Sequence, residues 1–208
     1  MTQTVITAGD ATSAASVVQG GNDGTLKVVV GPAGGKVDAM SIDAAGNVTF
    51  LGKGGLQIGT LQATTSGTSK LFSIPSWVKR ITVNFNGVSF ATTGLPLIQI
   101  GPAAGLETTL YKSECHYIGG THQAATDGFI CGVNGGGAGN TYHGSYVLAT
   151  LGSNIWVGSS NLAVLDGNTG VVAAGGSKTL ADTITQLAIK AHDGGAFDAG
   201  SVNILLEG

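Results

Sequence analysis

Apolar and polar side chains alternate along several stretches of the chain. In the run ITVNFN at 81–86, the first, third and fifth residues are apolar and the others are polar. A period of two places successive side chains on opposite faces of a β-strand, so this run predicts a strand with one buried and one solvent-facing side. The run ITQLAIK at 184–190 is a second case, in which a slip of one residue would expose the apolar set. Asn86-Gly87 favours positive φ and predicts a turn or a bulge at the end of the first strand.

Other short apolar runs are separated by turns rich in glycine, proline and aspartate. Beyond residue 66 these turns recur roughly every eight to twelve residues, a spacing typical of β-sandwiches and barrels. No segment carries three turns of helical periodicity, although KTLAD at 178–182 fits a single helical turn. The further predicted strands are 26–30, 36–42, 47–51, 55–61, 98–101, 108–116, 128–133, 144–151, 154–159, 161–166, 183–190 and 201–206.

Composition supports the same class. Charged residues make up 10% of the chain, where about 25% is ordinary. The 36 glycines among 208 residues are about 17%, against a usual level of roughly 7%. Hydrophobic residues at 42% argue against disorder. The sequence therefore predicts an all-β protein with many tight turns.

Charge and hydropathy exclude two classes of partner. A net charge of −3 and a pI of about 5.7 leave no basic footprint for nucleic acid. No apolar run reaches the length of a membrane helix, and the N-terminus lacks the basic start and apolar core of a secretory signal. We expect a chain made in the cytoplasm, without membrane insertion. So few charges on so apolar a chain favour an assembly that hides part of the surface.

The chain divides by composition into two parts. Residues 1–66 are small, threonine-rich and punctuated by glycine, with too few large apolar side chains to build a core. Strands that cannot bury their own faces need neighbours in the next domain or in identical chains about a symmetry axis. The polar stretch QATTSGTS at 62–69 marks the boundary, and apolar content rises after it. The prediction is a short-stranded segment at 1–66 and an antiparallel, jelly-roll-like β-sandwich at 67–208.

Five segments, in the same order and spread over about residues 69–208, resemble a C-terminal β-sandwich domain of fibre proteins of tailed bacteriophages. The closing segment falls at the chain end, as it does in that family. The segment MSIDAAGNV at 40–48 also looks like the strand-turn-strand that leads into phage fibre and spike tips. The five segments are IPSWVKRITVNFNGVS (74–89), IQIG (98–101), GLETTLY (105–111), NIWV (154–157) and FDAGSVNILLEG (197–208).

The resemblance implies a homotrimeric virion fibre, displayed on the phage particle. Its segment 1–66 would form a trimeric stalk or dock to other virion proteins, and its tip would bind a glycan or protein of the host surface. Two departures from the family bear on this reading: a cysteine pair with a glycine run at 134–140, and an N-terminal part far shorter than a long-fibre shaft. A stub tail fibre and a capsid head fibre or decoration protein both stay open.

Receptor-binding candidates come from the aromatic and polar residues of the second half. A sugar site needs a flat apolar face together with polar groups that fix its hydroxyls. Trp156 and Phe129 are predicted to be core, and Tyr142-His143, directly after the glycine run, to be the best exposed pair. The basic pair Lys79-Arg80 either is solvated, bridges subunits, or binds an acidic group of a lipopolysaccharide. The receptor-binding candidates are Tyr117, Asn140, Tyr142 and His143.

Signals for catalysis are weak, and we expect no enzyme, no cofactor and no metal. A capsule depolymerase, the remaining alternative, would need two carboxylates roughly 5 to 9.5 Å apart. The acids occur singly, there is no G-x-S-x-G elbow, and the glycine-rich segments lack the ending of a phosphate loop. The single acids considered are Glu107, Glu114, Asp127 and Asp166.

The cysteines and histidines are predicted to be structural. Cys115 and Cys131 are expected to be buried small hydrophobes, with a disulfide between them, or a metal pair with His116 or His143, as alternatives. The other histidines are expected in loops or the core, with a metal on a trimer axis as the alternative.

Overall fold

The computed structural model describes residues 7–8, 16–20, 25–30, 37–50, 55–92, 94–132, 139–167 and 169–208. In this part of the chain the regular elements are strands, which confirms the predicted all-β class. None of the described residues belongs to a helix long and apolar enough to cross a membrane. The strands are β1 (Thr7–Ala8), β2 (Ser16–Gly20), β3 (Leu26–Val30), β4 (Val37–Ile42), β5 (Val48–Phe50), β6 (Leu56–Ile58), β7 (Gln62–Ala63), β8 (Ser69–Ser73), β9 (Arg80–Phe90), β10 (Pro96–Gly101), β11 (Lys112–Tyr117), β12 (His122–Ala125), β13 (Phe129–Ile130), β14 (Thr141–Gly152), β15 (Ile155–Leu165), β16 (Gly170–Thr179), β17 (Gln186–Ala191) and β18 (Phe197–Glu207).

The first compact unit, Met1–Leu56, contains a five-stranded sheet in the order β1-β2-β3-β4-β5. The turn between β4 and β5 is closed by Asp43, whose carboxylate accepts hydrogen bonds from the backbone N–H groups of Ala45 and Asn47, both at 2.9 Å. Gly46 takes the positive φ, +84°, that this turn needs. The strand-turn-strand at 40–48 thus lies where the sequence indicated. Among the side chains described in this unit, Val29 alone is buried.

The second unit, Gln57–Gly208, is a sandwich-like pair of sheets around one core. The smaller sheet has the order β13-β10-β17-β8, and the larger has the order β12-β11-β16-β15-β14-β9-β18-β6, with β7 also paired to β18. Strand β9 lies between β14 and β18, and its alternate residues Ile81, Val83 and Phe85 are buried as the period of two predicts. Strand β10 is buried along its whole length.

Gly87 marks a bulge rather than a turn, because β9 continues past it to Phe90. The register of β9 shifts here against both neighbours, and Gly87 has φ of +64°. Its N–H, displaced from the regular ladder, donates to Nδ1 of His143 at 3.3 Å. The bulge therefore stays inside a continuous strand, and a ring from β14 satisfies its backbone donor.

Gly200 lies opposite the bulge and has φ of +91°. A Cβ there would lie 2.2 Å from the carbonyl oxygen of Gly87, so the substitution Gly200→Ala adds a backbone clash to left-handed strain. We expect it to lower the free energy of unfolding by about 3 kcal/mol in urea denaturation. The control is Gly194→Ala, because Gly194 has φ of +76° and a Cβ at that position would have nothing within 4 Å; strain alone there costs about 1 kcal/mol. Equal losses in the two variants would contradict the clash.

Several predicted boundaries differ from the observed ones. The segment 178–182 is not a helical turn, because Lys178 and Thr179 end strand β16. The predicted strands 154–159 and 161–166 are one strand, β15, which pairs along its length with β14 and β16. Strands β1, β2, β7, β8, β12 and β16 were not predicted. β16 (GVVAAGGSKT) has small residues without alternation, so only its pairing with β11 and β15 defines it.

The boundary between the compact units falls between Leu56 and Gln57, whereas composition changes at 66–67. The difference arises because β7 pairs with Val202 and Ser201 of β18, and the N–H of Gly59 donates to Ile204 O at 2.7 Å. These residues before 67 therefore extend the larger sheet at its edge.

Candidate functional site

A tight turn joins β14 and β15. Its two central residues, Ser153 and Asn154, have φ of +49° and +59°, as a two-residue type I′ hairpin turn requires. The side chain of Thr150 stabilises the turn by two hydrogen bonds. Its hydroxyl donates to Ile155 O at 3.1 Å and accepts from the N–H of Gly152 at 3.0 Å. The turn is therefore a fixed part of the surface.

Backbone hydrogen bonds tie this turn to neighbouring segments. The N–H of Leu180 donates to Asn154 O at 3.0 Å. Lys79 is held on both sides, because its N–H donates to Glu207 O at 2.7 Å and its carbonyl accepts from the N–H of Thr150 at 3.0 Å. The position of the Lys79 backbone relative to the turn is thus defined by the sheet itself.

A cavity of about 460 Å³ lies against this turn. Its apolar lining comes from Val78, Trp156 and Ile184, which are almost completely buried, and from Leu151, which is 70% exposed. The volume falls within the range of about 300 to 1,000 Å³ that is usual for small-molecule sites. The polar side chains that line it are Ser76, Lys79, Thr150, Ser153, Asn154 and Thr183.

Four of these polar side chains are available to a ligand. Within the described ranges, the side chains of Ser76, Ser153, Asn154 and Thr183 form no hydrogen bond. They offer three hydroxyl groups and one carboxamide, each able to donate and to accept. An apolar floor with several uncommitted polar groups around it is the usual anatomy of a small-molecule site.

The electrostatics of the cavity are set by Lys79. Its side chain is exposed and has no ion-pair partner in the described part of the chain. The adjacent Arg80 is different, because its Nε lies 3.4 Å from Oε2 of Glu207. The lining contains no carboxylate. The nearest acid in sequence, Asp182, accepts a hydrogen bond from the N–H of Thr183 at 2.6 Å. The cavity therefore carries one positive charge that no lining residue balances.

No family model, no curated protein and no solved structure matches the chain. The resemblance to phage fibre domains thus rests on the five sequence segments alone. Two of those segments, 74–89 and 154–157, supply side chains to the cavity, including Lys79 from the first and Trp156 from the second.

The predicted exposure of the Tyr142-His143 pair is wrong for Tyr142, which is 1% exposed. Tyr142 lies on the inward face of β14 with Tyr146 and Leu148, and burial raises the pKa of its phenol. His143 is half-buried on the other face, where its Nδ1 accepts from Gly87 and its Nε2 lies 3.2 Å from the hydroxyl of Thr141. The ring of His143 supports the bulge.

Asn140 and Tyr117 also serve the fold. Asn140 is 6% exposed and makes a side-chain hydrogen bond with Tyr142. Tyr117 is half-buried against the core, and its hydroxyl donates to Thr169 O. The structure brings Asn140 close to Gly167 and Tyr117 close to Thr169, so both stabilise the turn that follows β15. None of the four predicted candidates lines the cavity.

The other aromatic predictions are confirmed. Trp156 is 3% exposed and Phe129 is completely buried. The Phe129 ring contacts that of Tyr111 edge-on, with centroids 5.2 Å apart, and that of Tyr146 at 5.8 Å. These rings form the centre of the sandwich core.

Cys115 and Cys131 are buried free thiols, as predicted. Cys115 donates to Gly132 O at 2.9 Å. Burial raises the pKa of Cys115 to about 12 and that of Cys131 well above its ordinary value. Neither thiol is ionised at neutral pH, so neither is a ready nucleophile or metal ligand. Among the described residues, no three His, Cys, Asp or Glu side chains are grouped as metal ligands.

Thiol reactivity checks this burial. We expect neither Cys115 nor Cys131 to react with a thiol-specific disulfide reagent at about pH 8 in the native protein, since both are buried and protonated. Both should react in denaturant. Rapid labelling of either cysteine in the folded protein would show that the core around β13 opens.

An ion pair joins the buried Lys178 to the partly exposed Glu107, and the sequence did not reveal it. Lys178 Nζ lies 2.5 Å from Glu107 Oε2, donates to Thr109 O at 2.9 Å and lies 5.1 Å from the centroid of the Tyr111 ring. The second carboxylate oxygen accepts from the N–H of Ala181 at 2.8 Å. Glu107, one of the single acids named as catalytic candidates, thus connects its loop to β16 through Lys178 and to the segment that follows β16 through Ala181.

Proposed function

We propose that the protein is a structural fibre protein of a tailed bacteriophage, assembled as a homotrimer, whose sandwich unit binds the host cell surface. The proposed place is the virion, with residues of the first unit attached to other virion proteins. The five sequence segments support the ancestry. A difference between the two compact units supports separate roles for them, assembly for the first and display for the second.

That difference is one of burial. The first unit has a five-stranded sheet in which Val29 is the one buried side chain among those described, and Val48 is 49% exposed. The second unit encloses a continuous core of its own. Apart from Val29, the described apolar side chains of this sheet stay at least partly exposed, so neighbours would stabilise it, and identical chains about an axis would provide them. We assign assembly to the first unit and display to the second.

An exposed apolar cluster points the same way. Leu56, Ile58, Leu61 and Leu71 are 67%, 69%, 66% and 55% exposed. Leu56 and Ile58 belong to β6 at the end of the larger sheet, and Gln62 connects the next strand to β8 by donating to Leu71 O at 2.8 Å. Exposed apolar side chains on or beside the edge strands of a sheet are typical of association surfaces. We call Ile58, Leu61 and Leu71, which belong to the second unit, the edge cluster.

The function is tested on cells and particles. Fluorescently labelled protein should bind cells of the host strain and compete with the phage for adsorption, while cells of a resistant strain stay unlabelled. Labelled antibodies against the chain should decorate the tail of intact particles. Failure to bind host cells or to inhibit adsorption would overturn the receptor-binding role.

A capsid head fibre or decoration protein is the second candidate. Antibody decoration of the head, with unchanged adsorption after deletion of the chain, would support it. A capsule depolymerase is a further alternative. Shortened polysaccharide chains after incubation with purified protein would favour that alternative over binding alone.

A further inference from the structure

We propose that the cavity between the β14–β15 turn and the segment 76–79 binds a sugar unit carrying an anionic group, a carboxylate or a phosphate. This proposal rests on the proposed function for the biological source of the ligand, a host-surface glycan. The binding site itself rests on the geometry of the described residues.

The backbone around the cavity is already held in place without a ligand. Ser153 and Asn154 are fixed by the hydrogen bonds of Thr150 and by the bond from Leu180 to Asn154. The backbone of Lys79 is fixed by two hydrogen bonds, whereas its exposed side chain stays free to turn toward a ligand. A pre-organised site loses little conformational entropy on binding, which favours a ligand with few contacts.

The chemical groups of the lining match those of a sugar. A sugar ring presents an apolar C–H face and several hydroxyl groups. Leu151, which lines the cavity and is 70% exposed, offers an apolar surface to the C–H face, and the uncommitted groups of Ser76, Asn154 and Thr183 can donate to and accept from hydroxyls. A purely apolar ligand would leave these polar groups without partners, which disfavours it.

The charge of the lining favours an anionic ligand. Lys79 is a lining residue with an exposed, positively charged side chain, and no lining residue is acidic. Its neighbour Arg80 is paired with Glu207, so the two adjacent cations have different surroundings. A charge-assisted hydrogen bond is shorter and stronger than a neutral one. A sugar with a carboxylate or phosphate is therefore preferred over its neutral counterpart.

The test compares three soluble probes, glucuronic acid, glucose 6-phosphate and glucose, by titration calorimetry and by tryptophan fluorescence. For wild-type protein we expect at least one anionic probe to bind about fivefold or more tightly than glucose. Added salt should weaken the binding of that probe and leave the binding of glucose unchanged. The two anionic probes distinguish a carboxylate ligand from a phosphate ligand.

Matched variants locate the binding. Lys79→Met should abolish the preference for the anionic probe, and Arg80→Met, which removes the neighbouring cation outside the lining, should keep it. Asn154→Gly keeps the positive φ of the turn but removes the carboxamide, so it should weaken the binding of all three probes. Wild-type protein without preference for an anionic probe, or equal effects of Lys79→Met and Arg80→Met, would overturn the proposal.

Cell binding separates this proposal from the proposed function. Host-cell binding that Lys79→Met leaves unchanged, with no binding of the anionic probes, would reject the cavity and keep the receptor-binding role. Binding of an anionic probe by a protein that does not attach to host cells would support the cavity and reject that role.

Discussion

Replacing Glu107 with alanine is expected to lower the free energy of unfolding by about 3 kcal/mol. The side chain of Lys178 is 2% exposed, and without Glu107 its charge keeps only the Thr109 carbonyl and the face of the Tyr111 ring. A buried charge that has lost its partner is strongly destabilising. Chemical denaturation followed by tryptophan fluorescence measures the loss.

Two controls sharpen this result. Glu114→Ala, at an exposed position, should change stability by less than about 0.5 kcal/mol. The double variant Glu107→Gln with Lys178→Met removes both charges and should cost less than the sum of the single changes. A loss below about 1 kcal/mol in Glu107→Ala would show that the pair contributes little.

The same pair makes stability depend on pH. Burial opposes ionisation of Glu107, but hydrogen bonds from Ala181 and Lys178 and the charge of Lys178 outweigh it, so its pKa lies below the ordinary 4.5. A carboxyl whose pKa is depressed by folding stabilises the native state above its unfolded pKa. This contribution is lost as the pH falls through the folded value. Wild-type protein should therefore lose more stability than Lys178→Met below about pH 4.5.

Replacing Ile58 with aspartate is expected to dissociate the proposed homotrimer. Ile58 is 69% exposed in the single chain and lies in the edge cluster, so burying a carboxylate there against a partner costs at least about 2 kcal/mol per contact. The dissociation constant should rise at least thirtyfold or so. Size-exclusion chromatography at a series of protein concentrations measures the change.

The matched control is Leu110→Asp. Leu110 is 81% exposed, but it lies in the loop before β11, away from the edge cluster in sequence. This variant should assemble like the wild type. Assembly that Ile58→Asp leaves intact would show that the edge cluster does not form the contact between chains.

The strands that could be predicted are those whose burial follows a local rule. The alternation in ITVNFN defines β9, and Asn86-Gly87 predicted a turn or bulge because its positive φ is a local property. Val37–Ile42 and Val48–Phe50 could be placed because Asp43 closes the turn between them. In each case, the residues that determine the structure are neighbours in sequence.

The candidate site could not be predicted in this way. Tyr142 follows a glycine run, which suggested exposure, but its side chain points inward because of its register on β14. The cavity joins the segment 76–79, the turn at 153–154 and Thr183, which are distant in sequence and meet only through sheet pairing. Lys178 likewise gives no local sign that it is buried, since its partner Glu107 belongs to another loop.

The native mass of the full chain tests the proposed assembly most directly. Light scattering on purified protein at micromolar concentration should give three times the 20.5 kDa mass of one chain. The uncovered side chains of the first unit and the edge cluster would then be buried between copies. A mass of 20.5 kDa at all concentrations would contradict the homotrimer and, with it, the fibre.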